Sequence, residues 1–397
     1  MHPAPAVLIA GARVFDSDAG TLISGLDVRI DGGQIVALGR GLPRDGVQVV
    51  EAGGKALLPG LIDCHVHLAY DGRPGEPIDP VDPFPVYAWR MANNARATLR
   101  AGFTTVRDLG APQAINCDLM RAVSAGLVEG PRIVPAGRMI TMTGGHGWPI
   151  GREADGADEV RKAVREQLKA GARAIKLMAS GGVMTPGVDP RSPQLGLDEL
   201  SAGVEEAHKA GVKTASHAQA AAGIRNAVFA GIDSIEHGIY LEDDVIEEMK
   251  RRGTALVATL AAPHNINALG EGAGMPPHVL EKSRMVAEAH LDSFRRAMRA
   301  GVTLASGTDA GTPGNQHGRN AQELRLMVEH GLSPAEAIRA ATTHAAALLG
   351  LADQTGRIAP GFAADLLLVS GDPLADIAVL ERPEAIAAVW LEGRRPV

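Results

Sequence analysis

Hydrophobic and polar positions change rhythm twice along the chain. Up to residue 57 the runs AVLIAGARVF, DVRIDGGQIVALG and VQVVEAGGKALL alternate with a period near two and are broken by Asp, Gly and Pro, which predicts short β-strands. From about residue 354 the same texture returns in GRIAPGFAADLLLVSGD and IAAVWLEGRRPV. Between these ends the period becomes helical over 85–101, 157–170, 198–210, 219–230, 243–252, 279–300, 319–330 and 334–348. Short apolar runs fall between the helices: LIDCHV, TTVRDL, RIVPAG, AIKLMA, VKTASH, IDSIEH, ALVATL and VTLASGTD. Eight strands alternating with helices predict an α/β fold, a (β/α)8 barrel of the TIM type over 58–353. The two β-rich ends, 1–57 and 354–397, predict a small composite β-sandwich domain. An open doubly wound sheet would carry a Gly-rich phosphate loop after its first strand, and none is evident.

Composition narrows the class. A chain of 397 residues exceeds what one core usually organises, which agrees with a large domain plus a small one. The net charge of −7, with no basic stretch interleaved with aromatics, argues against a nucleic-acid partner. No apolar run is long enough for a membrane span, and the N-terminus lacks the basic region of a signal peptide. Two cysteines, Cys64 and Cys117, give no disulfide framework, so a cytoplasmic location is expected.

Active sites of such barrels lie at the C-terminal ends of the strands. DCHVH ends the first predicted strand and places His65 and His67 two residues apart, on one face of an extended strand. Lys176 lies in the fourth strand, His217 ends the fifth, His237 the sixth and Asp309 the eighth. Singly each has an ordinary explanation: an incidental pair, a hydrogen-bonded core histidine, a helix cap. Gathered at one face, imidazoles and a carboxylate suit Zn²⁺ and related ions. Lys176 does not fit such a set as an ammonium, which has three donors and no acceptor. Among apolar neighbours it is a snorkelling side chain, a Schiff-base nucleophile or a chemically altered lysine.

Other positions carry less. Cys64, between inward-facing positions of the strand, is expected to face the helices as packing. Arg107 and Asp108 end the second strand and are expected to pair structurally at the barrel mouth. His264 either reaches the pocket or belongs to a loop. The Pro-rich segment 71–85 reads as a rim loop or an oligomer contact.

The motifs LLPGLIDCHVHL, TTVRDLG, TMTGGHG, AIKLMASGGVMT, SIEHGIYLEDD, SGTDAG and TGRIAPGFAADLLLVSGDPL occur in order over nearly the whole chain. In combination they resemble the amidohydrolase superfamily, within it the branch of Xaa-Pro dipeptidases and imidazolonepropionase-like enzymes. The resemblance implies a binuclear metal site, usually zinc, with His65, His67 and Asp309 on the more buried ion and His217 and His237 on the other. It implies that CO2 carboxylates Lys176, giving a carbamate that bridges both ions. Asp309 would then accept the proton of a metal-bridged hydroxide during attack and deliver it to the leaving amine. His146, in TMTGGHG, resembles the histidine that contacts substrate near the reacting carbonyl. Tyr240 resembles the tyrosine that helps hold a substrate carboxylate. The activity implied is hydrolysis of dipeptides or N-acyl amino acids with a free C-terminal carboxylate, by a homo-oligomer. Hydrolysis of cyclic or aryl amides, ochratoxin-type amides included, is the alternative. An inactive oligomeric scaffold ranks behind both, because all six ligand positions are filled.

Overall fold

In the computed structural model, residues 6–73 and 82–396 are described. Both ends of the chain build one mixed sheet of seven strands. Val7–Asp16 is its centre, flanked by Thr21–Asp31 in antiparallel register and by Gln48–Glu51 and Ala56–Pro59 in parallel. The distant strand Leu366–Val369 joins Ala56–Pro59 antiparallel and carries Ile386–Trp390 outside it. Alternation supplies the shared core: Val7, Ile9, Val28, Ile30, Leu57, Leu366, Leu368 and Trp390 pack in one buried cluster. Each large apolar side chain buried there contributes about 1.5–3 kcal/mol, which holds two segments far apart in sequence together.

The middle of the chain carries seven parallel strands: β1 (Leu61–Val66), β2 (Phe103–Asp108), β3 (Arg132–Pro135), β4 (Ala174–Met178), β5 (Lys213–Ala218), β6 (Ser234–His237) and β7 (Ala255–Val257). They form two ladders, β1-β2-β3 and β4-β5-β6-β7, the second extended beyond β4 by the short strands Ile140–Thr141 and Arg152–Glu153. The backbone N–H of Arg173 donates to the Pro135 carbonyl at 2.7 Å, joining β3 to the entry of β4. The eighth predicted strand forms no ladder. Its backbone runs between β7 and β1 and bridges to Leu256 through Leu304, while Cys64 N–H donates to the Ser306 carbonyl at 2.8 Å and Asp309 N–H to the His65 carbonyl at 2.7 Å.

The predicted helices appear as Phe84–Arg100, Ala157–Ala170, Leu197–Lys209, Ala221–Ala230, Asp243–Arg252, Pro277–Ala300 and Gln322–Glu329. The stretch 334–348 divides into Pro334–Ala340 and Thr343–Leu348, because Thr342 leaves helical geometry at φ −135° and ψ −89°. Ser333 and Glu336 form a capping box at the start of the first piece. Two further helices, Ile115–Ser124 and Ala261–Leu269, lie outside the stretches of helical period. Among the described residues no helix is long and apolar enough to cross a membrane. Residues 74–81 of the Pro-rich segment lie outside the described residues. Arg90 pairs with Asp71 at 3.3 Å and Asp82 at 2.7 Å on its two sides.

Three local expectations are corrected. Cys64 is packing, but its cluster is made mainly by the strand residues Ile62, Val134, Ala174, Ala215 and Val257, together with Ala345, Ala346 and Leu348 of the helix Thr343–Leu348. The two-residue alternation of β1 fails there because its register against β2 shifts between Asp63 and Val66. Arg107 and Asp108 do not pair with each other: successive strand residues point to opposite faces. Arg107 reaches the Cys64 carbonyl, Ser234 and Glu236, whereas Asp108 accepts the N–H groups of Leu68 and Gly110 and the amide of Asn116. His264 stands exposed on the helix Ala261–Leu269 and is absent from the cavity wall.

Candidate metal centre

The C-terminal ends of the parallel strands meet at one cavity. His65, His67, Lys176, His217, His237, Asp309 and His146 all line it. The ligand atoms of His65, His237 and Asp309 lie within 4.8 Å of one another. His65 Nε2 and His67 Nε2 each stand 3.4 Å from Asp309 Oδ1. The His217 ring lies 4.6 Å from that of His237 and 4.4 Å from that of His146.

Each of the four histidines His65, His67, His217 and His237 has one ring nitrogen committed to a group that fixes its tautomer. His65 Nδ1 donates to Glu236 Oε2 at 2.8 Å and His67 Nδ1 to the Gly110 carbonyl at 2.9 Å. His217 Nε2 donates to the Gly181 carbonyl at 2.9 Å. His237 Nδ1 stands 2.7 Å from Thr259 Oγ1, whose own hydrogen goes to the Ala258 carbonyl at 2.6 Å, so the hydroxyl accepts. A carbonyl or carboxylate only accepts, so in each ring the other nitrogen keeps a bare lone pair. Burial holds the His65, His217 and His237 rings well below the usual imidazole range, and the Lys176 charge adds to it for each. They are neutral, which is the form a metal binds.

Lys176 is buried at 2% exposure. Burial lowers its ammonium to about 8, against the opposing pull of the Glu236 and Asp309 carboxylates. Asp309 shows the reverse: burial raises its carboxyl to about 7, while Lys176 holds it down. Donor chemistry therefore fits divalent ions: four neutral imidazoles offer bare nitrogens and Asp309 offers carboxylate oxygens. Lys176 fits only if its nitrogen is converted from a donor into a ligand-bearing group.

Backbone strain concentrates here. His237 (φ +69°), Thr259 (φ +56°) and Asp309 (φ +60°) all occupy the left-handed region, at the ends of β6, β7 and the eighth segment. For a β-branched threonine this conformation is costly and persists only where the surroundings over-determine it. Glu323 supplies part of that restraint by accepting the Leu260 and Ala261 N–H groups at 2.9 and 2.8 Å.

His146 reaches the cavity from the TMTGGHG loop. Its Nδ1 lies 2.8 Å from Thr185 Oγ1, and its backbone N–H donates to Gln194 Oε1 at 2.9 Å. Burial pushes its ring down to about 3, with Lys176 and Lys282 adding to the effect. The ring lies so close to Gly182 that a Cβ there would stand 2.3 Å from His146 Nε2, so only glycine fits. Tyr240 is half-buried and follows the cavity-lining Ile239, but is not itself part of the wall.

Sequence reasoning did not single out Glu236, Thr259 or His290. Glu236 accepts from Arg107 Nη2 at 2.9 Å, from Ser234 Oγ at 2.5 Å and from His65 at once. It directly precedes a predicted ligand in SIEHG, the signal that was available. His290 donates from Nε2 to the Ala258 carbonyl at 2.7 Å and lines the cavity from a helix that gave no functional signal.

The sequence model of the amidohydrolase family matches residues 56–395. The chain is 35% identical over 367 residues to ochratoxinase of Aspergillus niger, covering 85% of this chain and 75% of that protein. A solved Xaa-Pro dipeptidase with methionine bound in its active site superposes with a TM-score of 0.91 at 33% identity, covering 98% of this chain and 99% of that one. A solved prolidase complexed with N-methylphosphonate-L-proline gives a TM-score of 0.91 at 35% identity, with the same coverage of 98% and 99%.

Proposed function

Because the chain belongs to the amidohydrolase family, we propose that it is a binuclear, metal-dependent hydrolase of dipeptides or N-acyl amino acids with a free C-terminal carboxylate. The observation that carries this reading is the set of three buried histidines, His65, His217 and His237, and the half-buried His67, each with one nitrogen tied back, lining one cavity with Asp309 and Lys176. In this reading His65, His67 and Asp309 would hold one ion, His217 and His237 the other, and Lys176, carboxylated by CO2, would supply an anionic oxygen ligand to both. Zinc suits that donor set. The strands of 58–353 then constitute the (β/α)8 barrel, and the terminal sheet the composite β-sandwich.

Bound divalent ions supply Lewis acidity at the scissile carbonyl and a water acidic enough to ionise near neutral pH. The chain's own residues do the rest. Asp309 takes the proton from the attacking water and returns it to the leaving nitrogen, since an amide nitrogen is a poor leaving group until protonated. In this reading the Thr185 hydroxyl, which accepts from Gly147 N–H at 3.0 Å, donates to His146 Nδ1, so that His146 Nε2 carries a proton. From a ring that lines the cavity, that proton would serve as a donor to the oxygen on which charge develops. Glu236 and Thr259 keep His65 and His237 in the tautomers described. Tyr240, which follows the cavity-lining Ile239, is the residue proposed to meet the substrate carboxylate.

The apolar walls of the cavity favour a second reading, hydrolysis of cyclic or aryl amides of the ochratoxin type. One screen separates the two. Protein supplied with Zn²⁺ and bicarbonate is assayed for amino-acid release from dipeptides and N-acyl amino acids, then from lactams and aryl amides. Release from the first group, lost on chelation and restored by metal, supports the leading reading. Activity confined to the second group replaces it, and no hydrolysis of any amide by the metal-loaded protein rejects both.

A further inference from the structure

We propose that the end of the cavity away from the metal centre is a recognition pocket for an uncharged aromatic side chain bearing a terminal hydroxyl, with Ser283 as the residue that selects it. This rests on the amide-hydrolase reading above. The cavity has a volume of about 120 Å³. Besides the proposed ligands its lining includes the apolar side chains Met139, Met178, Val183, Ile239, Ile266 and Val286. Among the described lining residues Lys176 and Asp309 alone carry charge, and both belong to the metal centre. A charged substituent entering this half would lose its hydration without gaining a counter-charge. The neighbouring cation Lys282 is spent elsewhere: its Nζ donates to the Thr185 and Val188 carbonyls at 2.8 and 2.5 Å.

Ser283, Val286 and His290 share one face of the helix Pro277–Ala300 by their spacing of three and four residues, and all three line the cavity. His290 fixes the inner end of that face, since it and Thr259, the partner of His237, hydrogen-bond to the same Ala258 carbonyl. Seven residues separate His290 from Ser283, roughly 10 Å along the helix. A group bound at the metal centre therefore reaches Ser283 through a long, flat substituent and not through a short aliphatic one.

The Ser283 hydroxyl is buried and has no hydrogen-bond partner among the described residues. A helical serine ordinarily bonds back to the carbonyl one turn earlier, and this one does not. An unsatisfied hydroxyl in an apolar wall is unfavourable in the empty cavity and becomes favourable when a ligand hydroxyl meets it. A pocket with such a group discriminates against the ring that lacks the hydroxyl, whereas a purely apolar pocket discriminates weakly.

The test uses matched dipeptides that differ only in Phe, Tyr, Lys or Glu, placed in turn at either position, with metal-loaded protein. Tyr is expected to exceed Phe in kcat/KM by about fivefold or more, the scale of one buried neutral hydrogen bond. Lys and Glu members are expected to fall at least tenfold below Phe, in order of magnitude. Ser283→Ala should narrow the Tyr to Phe ratio to near one, and Ser283→Thr should restore it. Equal losses for Tyr and Phe in Ser283→Ala, or no discrimination in the wild type, would overturn the proposal. Binding of p-cresol against toluene, followed by ligand-observed NMR on the same proteins, reads the pocket without turnover. Ser283-dependent preference for p-cresol with no amide hydrolysis would keep the pocket and reject the amide reading. Amide hydrolysis with no preference of either kind would do the opposite.

Discussion

Glu236 Oε2 accepts the Nδ1 proton of His65 at 2.8 Å, in a place where neither side chain meets solvent. The other oxygen of the same carboxylate pairs with Arg107 at 2.9 Å. One buried carboxylate thus orients a proposed ligand and neutralises a buried guanidinium. Glu236→Gln has a single acceptor oxygen and cannot serve both. Metal affinity is expected to fall about 10–100-fold, the usual cost of losing an outer partner of a ligand histidine. Unfolding stability should drop by about 3 kcal/mol, because Arg107 is left buried without its counter-charge. Titration calorimetry with Zn²⁺ and denaturant melts check the two effects separately. Unchanged metal affinity would remove Glu236 from the ligand-positioning role.

Lys176 gives a second prediction. As a carbamate it would be an anionic oxygen ligand, and as an ammonium it would repel cations. Lys176→Ala should lower bound metal from about two ions per chain, the number a bridged site holds. It should also abolish turnover, with partial recovery on adding formate or acetate. Metal analysis and amide hydrolysis with and without the added acid are the measurements. A variant with normal metal content and activity would exclude the bridge.

Asp309 gives a third. Asn keeps the shape and one ligating oxygen but cannot take a proton. Asp309→Asn is therefore expected to retain most of its metal while kcat falls by about 10²–10⁴-fold, the range of a lost general acid–base. Metal content and kcat measured on one preparation decide it, and full turnover would assign proton transfer to another group.

These residues also show how far the sequence could be read. His65 and His67 were legible because both end a strand whose pattern is unmistakable, and Lys176 because a lysine inside AIKLM contradicts its neighbours. Glu236 was hidden by the alternation rule itself. Glu236 and His237 are adjacent, so a regular strand turns only one of them inward. The left-handed φ of His237 brings both to the site. The register shift in β1 hid the packing of Cys64 against residues of the other strands in the same way. Partners of the ligands, such as Gly110, Gly181 and Thr259, come from loops and strand ends whose approach depends on the assembled fold. The mixed sheet from both ends was foreseeable from matching texture at 1–57 and 354–397, but its strand order required long-range pairing that no local pattern encodes.

Asp233 gives the last prediction, at the opposite end of the strands that carry His217 and His237. It accepts from Lys213 Nζ, His208 Nε2, and the Thr214 N–H and hydroxyl, each at 2.8 Å, and so ties the entry of β5 to that of β6. Burial alone would raise its carboxyl, but the bonds from Lys213, His208 and Thr214 outweigh it and hold the group below the ordinary value. A carboxyl depressed in the folded state binds fewer protons there than in the unfolded chain. Its stabilisation is therefore complete above the unfolded value near 4 and is lost as pH falls through the folded one. Asp233→Asn should be less stable than the wild type by about 1–3 kcal/mol at pH 7, the range for hydrogen bonds to a charged group. The gap should close as pH drops below about 4, because the wild-type carboxyl is then neutral as well. Urea melts of both proteins at pH 7, 5 and 4, extended downward while the wild type stays folded, measure the gap directly. A difference constant with pH would mean that Asp233 holds the strand entries by shape and not by charge.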